Sequence, residues 1–181
     1  PVVFGSRLTG QAGPYDLGLL QVRTSQSEEL GVEDFTVGRA KRNFLSQSTV
    51  GAIYTRRATG GLGDNLASVD RYTVGTDLNL FTSTFLGDKN LQFEAFYVWH
   101  NDPQHNGGSN AGDRSSRGIR LNYPNDIWRA HMSYREFGDE FNPAVGFTPR
   151  NGFRRVQPTL TWAPRPDRWA SVRQMEFGIR Y

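Results

Sequence analysis

The sequence predicts an all-β fold, an antiparallel up-and-down transmembrane β-barrel of which this chain forms a fragment of about ten strands. Three observations carry that expectation. Apolar and polar residues alternate with period two in one segment after another. Short and long connections alternate without a break between those segments. Aromatic residues gather near the segment ends.

The expected strands follow in order. The first, 4–12, closes at Gly13-Pro14, and the second, 15–25, runs into the polar segment Gln26 to Glu33. A third, 34–43, turns at Leu45-Ser46-Gln47 into a fourth, 48–58, which leads to the longer segment Thr59 to Ser68. In the fifth, 69–81, Tyr72, Val74, Thr76, Leu78 and Leu80 make one face, and Arg71, Thr73, Gly75, Asp77 and Asn79 the other. Thr82 to Lys89 connects it to the sixth, 90–101, where Leu91, Phe93, Ala95, Tyr97 and Trp99 stand opposite Gln92, Glu94 and His100. Phe96 and Val98 blur that alternation.

Asn101 to Arg114 is the next long connection, before a seventh strand, 115–123, and the turn Pro124-Asn125-Asp126. The eighth, 127–137, sets Trp128, Ala130, Met132 and Tyr134 against Arg129, His131, Ser133 and Arg135. Gly138 to Asn151 follows, then a ninth strand, 152–163, with Val156, Pro158, Leu160 and Trp162 opposite Arg155, Gln157, Thr159 and Thr161. Pro164 to Trp169 leads to the tenth, 170–181, where Met175, Phe177, Ile179 and Tyr181 oppose Gln174, Glu176, Gly178 and Arg180. Each strand is near the roughly 9–11 residues that a tilted strand needs to cross a bilayer.

A barrel with short periplasmic turns and long outer loops requires this alternation of connections. A soluble sandwich or Greek key does not. Tyr15, Phe44, Phe81, Tyr123, Trp128, Trp162 and Trp169 flank the short turns, and Tyr54, Tyr72, Trp99, Tyr134 and Phe153 lie towards the opposite strand ends. Two interfacial girdles give that distribution.

Composition bounds the remaining classes. Hydrophobic residues make up 36%, mean hydropathy is −0.59, and no run reaches the roughly 18 apolar residues of a membrane helix. Barrel strands escape that test, since only alternate residues face lipid. The 13% aromatics and 20 glycines lean towards β-structure. The absence of cysteine excludes disulfides and thiolate metal sites. A net charge of +3, with dispersed Lys and Arg, argues against a nucleic-acid partner. The chain opens on Pro1-Val2-Val3 without Met or signal sequence. Because a barrel must be exported, these residues are expected to be a piece of a longer chain whose N-terminus lies upstream.

Several runs point to a family. They are Arg7-Leu-Thr-Gly, Tyr15-Asp-Leu-Gly-Leu-Leu-Gln-Val-Arg-Thr, Phe35-Thr-Val-Gly-Arg-Ala-Lys-Arg, Ser48-Thr-Val-Gly-Ala-Ile-Tyr-Thr, and Phe137-Gly-Asp-Glu-Phe-Asn-Pro-Ala-Val-Gly-Phe-Thr-Pro-Arg150. Together they resemble an uncharacterised domain family of bacterial outer-membrane β-barrels, in which the barrel commonly follows an N-terminal sandwich similar to family 9 carbohydrate-binding modules. The resemblance covers nearly the whole chain, and Phe-Asn-Pro-x-x-Gly-Phe is its most specific part. It implies a larger barrel in the outer membrane and an upstream sandwich. It implies no catalytic residues.

Motifs for chemistry are sparse. His100 and His105 border one long loop with Asp102 between them, without zinc spacing. The pairs Glu28-Glu29, Glu33-Asp34 and Asp139-Glu140 offer oxygen ligands, without a calcium loop. No serine has a His and an Asn or Asp at a recognisable catalytic spacing. Gly60 to Asp64 and Gly107 to Gly112 neither enter a helix nor carry a Gly-Lys-Ser/Thr ending. No cofactor or metal site is expected.

Polar faces are more informative. An Arg or Lys facing lipid at mid-membrane costs about 2–4 kcal/mol, so Arg71, Asp77, Glu94, Arg120, Arg129, His131, Arg135, Arg155, Glu176 and Arg180 are expected to face the lumen. Asp139, Glu140, Phe141, Asn142, Pro143 and Phe147 form a candidate ordered loop, apolar enough for Phe141 and Phe147 to pack. The expected partner is outer-membrane lipid, with glycan a further partner through an upstream domain. Three functions stay open: a structural or transport barrel with a mixed-charge lumen, a membrane anchor for an upstream carbohydrate-binding or hydrolytic domain, and a soluble all-β binding module.

Overall fold

The computed structural model describes residues 1–26, 31–60, 68–103, 110–166, 168 and 171–181. It holds ten strands: β1 (Val2–Ala12), β2 (Tyr15–Thr24), β3 (Glu33–Phe44), β4 (Ser48–Thr59), β5 (Val69–Phe85), β6 (Lys89–His100), β7 (Ser115–Pro124), β8 (Trp128–Phe137), β9 (Phe153–Trp162) and β10 (Phe177–Arg180). They form one sheet in chain order, every pair antiparallel. Among the described residues there is no helix. β1 and β10 pair on one side only, so the sheet is open.

Register makes each alternating set a continuous face. Val50, Val74, Trp99, Ile119, Tyr134, Val156, Ile179 and their same-parity neighbours share one side, because directly paired residues project the same way. Leu8, Leu17, Leu19 and Ala40 carry that side across β1 to β3. Arg71, Thr73, Asp77, Glu94, Ser133 and Arg155 stand on the other.

Burial is inverted relative to a soluble fold. The buried hydrophobic side chains, among the described residues, are Phe141, Ala144 and Ala163. Leu17, Leu19, Ile119, Met132, Val156, Leu160 and Trp162 are exposed, while Thr55, Thr73, His100, Ser116 and Ser133 on the polar face are buried. A soluble monomer of this mass exposes roughly 8,800 Å², and this chain exposes 12597 Å². A single sheet without a second layer has no core of its own, and its apolar side requires a cover.

Three expectations are corrected. Thr82 to Lys89 is not a connection, because β5 runs on to Phe85 and the turn is confined to Leu86–Asp88. A register shift between Thr82 and Phe85 turns Phe85 onto the apolar side, where its ring meets Tyr123 edge-on at 6.3 Å. The tenth strand covers only Phe177–Arg180, with 171–176 irregular apart from Met175, whose N–H reaches the Pro164 carbonyl. Phe81 and Phe153 belong to the polar side by register and leave the aromatic girdles, which keep Tyr15, Phe44, Tyr123, Trp128 and Trp162 at one end and Tyr54, Tyr72, Trp99 and Tyr134 at the other. Trp169 lies outside the described residues, as do Glu28-Glu29, His105, residues 61–64 of the first glycine-rich segment and 107–109 of the second.

Candidate functional site

All ten residues expected on the lumen side share the polar face or continue it. Arg71 and Asp77 lie on β5, Glu94 on β6, Arg120 on β7, Arg129, His131 and Arg135 on β8, Arg155 on β9 and Arg180 on β10, with Glu176 just before β10. Most are satisfied within the sheet. Arg120 Nη1 reaches Glu94 at 3.0 Å and Arg129 Nη2 reaches Glu176 at 2.6 Å. His131 Nδ1 lies 2.5 Å from the Asn122 side-chain oxygen.

Arg39, Lys41 and Arg57, which the sequence did not single out, complete the pattern. Asp77 pairs with Arg39 at 2.5 Å, Asp16 with Lys41 at 3.1 Å, and Glu33 with Arg57. Arg39 and Asp77 sit on β3 and β5, and they meet across β4 because position 51 is glycine. A Cβ there lies 2.5 Å from the Arg39 guanidinium and 2.8 Å from Asp77 Oδ1. The absent side chain is the window through which the pair closes.

Gly138 to Asn151 folds inward over this face. Its buried anchor is Phe141, 5% exposed, set edge-on to Phe137 at 5.9 Å and to His100 at 5.8 Å. His100 acts as a clasp. Its Nδ1–H donates to the Asn101 carbonyl at 2.6 Å, and Nε2 then accepts the Asn142 N–H at 3.0 Å. Two further bonds extend the clasp to β5: the Ala144 N–H donates to Thr73 Oγ1 at 2.8 Å, and Arg71 donates to the Asn142 carbonyl at 2.8 Å. Asn151 closes the segment on itself by donating to the Phe141 carbonyl at 2.7 Å.

The segment thus leaves β8, passes β7 and reaches β6 and β5. The candidate loop divides in two. Phe141 is buried and Pro143 half-buried, whereas Asp139, Glu140 and Asn142 are exposed. Phe147 is 87% exposed and does not pack, which corrects the expectation for that ring. Gly146, at φ 134, starts the turn that carries it outward. His100, expected at the end of the sixth strand on the border of the Asn101 to Arg114 loop, ends β6 and holds the clasp. Among the described residues no three metal-ligating side chains converge.

The apolar side is bounded near the long-loop ends of its strands by ion pairs. Arg56 holds Asp70 through Nε and Nη2. Arg117 and Arg154 flank Glu136 at 2.9 and 3.0 Å, and the Tyr134 hydroxyl donates to it at 2.5 Å. From Arg154 to Trp162 the strand rises roughly 26 Å. Between these bounds, on β1 to β6, an apolar trough of about 850 Å³ lies over Gly38, Ala40 and Ala52. Comparisons with protein-family models, curated proteins and solved structures returned no match.

Proposed function

We propose that this sheet is a wall of an outer-membrane β-barrel, with its apolar side in lipid and its polar side lining a solute pathway that residues 138–151 constrict. The inverted burial carries the reading. Exposed leucines, valines and tryptophans opposite buried serines and threonines and partly exposed ion pairs suit lipid outside and a polar interior. In water they form an apolar surface far larger than soluble monomers show.

Unpaired strand edges cannot face hydrocarbon. In this reading β1 and β10 therefore pair with further strands that close the wall. The chain would then be a member of the barrel family that its Phe-Asn-Pro segment resembles. The ion pairs around Arg56 and Glu136 would stand at the outer boundary, and Tyr15, Trp128 and Trp162 at the inner one. Function as an anchor for an upstream domain gains no support from any feature of the sheet, whereas a loop clasped across the polar face is a feature that a solute pathway uses.

The test is reconstitution of the complete polypeptide in planar bilayers. Discrete conductance steps are expected, with larger steps when Phe141→Ala and Thr73→Val loosen the clasp. Absence of conductance, or recovery of the native protein in the soluble fraction, overturns the reading.

A further inference from the structure

Like charges meet directly at two places on the polar face. At one, Arg57 of β4 and Arg71 of β5 are paired, but Arg57 holds Glu33 and Arg71 donates to the Asn142 carbonyl. The other lies between β8 and β9. Arg135 of β8 and Arg155 of β9 are direct cross-strand partners, an arrangement that destabilises a sheet when nothing lies between the charges. Arg120 and Arg129 on this face are matched to carboxylates, to Glu94 and Glu176 respectively. Neither Arg135 nor Arg155 has an ion pair among the described residues. Arg135 donates through Nη2 to the Gln157 side chain at 2.7 Å, while its Nε–H is buried without a partner. Arg155 is exposed. Beside Arg135, the side chains of Glu94, Arg120 and Ser133 wall a cavity of about 80 Å³.

We propose that Arg135 and Arg155 form an oxyanion-binding step on this face, taking a solute that carries a phosphate, sulfate or carboxylate group. The inference rests on the reading of this face as a solute pathway. Guanidinium forks match the geometry of an oxyanion and can bind it bidentately. An anion between two opposed arginines removes their repulsion and supplies the acceptor that the Arg135 Nε–H lacks. The surroundings agree in sign. From β6 to β10 this face carries Arg120, Arg129, Arg135, Arg155 and Arg180 against Glu94 and Glu176.

The experiment uses the complete polypeptide in planar bilayers under a potassium chloride gradient, with inorganic phosphate added. The reversal potential should show anion preference, and phosphate should block chloride current. Arg135→Gln and Arg155→Gln should each weaken that block about tenfold, close to the loss of one charge-assisted hydrogen bond, while Arg155→Lys retains most of it. Cation preference, or block unchanged in both glutamine variants, overturns the inference. A sugar phosphate that blocks more tightly than inorganic phosphate supports a phosphorylated organic solute, and equal block supports the free anion.

If no conductance is seen, the pathway reading fails by itself. Phosphate binding to the micelle-solubilised protein, followed by phosphorus NMR, then decides the site. Saturable binding lost in both glutamine variants upholds it, and no binding, or binding retained in both, overturns it.

Discussion

Phe141→Ala removes the ring that joins the inward-folded segment to His100 and Phe137. Truncating a buried phenylalanine costs about 3–5 kcal/mol when the site cannot collapse. Here the loss should appear as local opening, since the strands pair without this ring. Ordering a long segment consumes most of what its contacts supply, so a loss of about 3 kcal/mol shifts the opening equilibrium by roughly a hundredfold. Amide exchange reads this directly. The Ala144 N–H, bonded to Thr73 Oγ1, and the Asn142 N–H, bonded to His100, should exchange about a hundredfold faster in the variant. Amides of β7 and β8 should not change. Phe147→Ala is the control, because a ring 87% exposed contributes nothing to the clasp. Ala144 exchange equal in wild type and variant, or uniform loss of protection through the whole sheet, would refute the reasoning.

Other outcomes follow from the same geometry. Gly118→Ala sets a Cβ 2.6 Å from the Phe96 ring and 2.9 Å from the Tyr134 carbonyl oxygen. That backbone cannot yield, so the urea midpoint in micelles should fall by the equivalent of about 1–3 kcal/mol. Gly51→Ala meets only the flexible ends of Arg39 and Asp77. Losing that half-exposed pair costs about 0.2–1 kcal/mol, and the gain of roughly 0.5–1 kcal/mol from replacing a strand glycine offsets it, so its midpoint should barely move. Equal midpoint losses in the two variants would contradict the distinction. Glu136→Gln leaves Arg117 and Arg154 without their shared carboxylate and should lower the melting midpoint more than Arg154→Gln, whose side chain is 74% exposed. The reverse order would remove Glu136 from its role at the boundary.

What sequence could convey here was set by range. Period-two alternation is local, so strand order, the apolar set around Val74 and Leu91, and the polar set around Asp77 and Glu94 could all be read before pairing was known. The open single sheet with two edges is consistent with that reading, and the strands other than β5 and β10 fall within two residues of the expected bounds. Failures came where one residue changes parity or distant segments meet. The shift between Thr82 and Phe85 reverses the side to which Phe85 belongs, and nothing in Thr-Ser-Thr-Phe announces it. The clasp role of His100 was not legible because its partner Asn142 lies 42 residues away. The apolar content of Phe141 to Pro149 led to the expectation that both rings pack, yet only Phe141 is buried. Gly51 and Gly118 carried a usable signal: glycine inside a strand marks a close approach, here by Arg39 and by Phe96.

Collision accessibility of nitroxide labels tests the central claim most directly. Single cysteines on β8 and β9, in a chain that has none of its own, would carry labels at Met132, Ser133, Thr159 and Leu160 in the complete polypeptide reconstituted in liposomes. Labels at Met132 and Leu160 should collide with oxygen, which concentrates in lipid, and labels at Ser133 and Thr159 with a water-soluble nickel chelate. Oxygen accessibility that rises and falls with period two along the strands is the predicted result. Uniformly low oxygen accessibility at Met132 and Leu160 would mean that protein, not lipid, covers the apolar side, and would contradict the account.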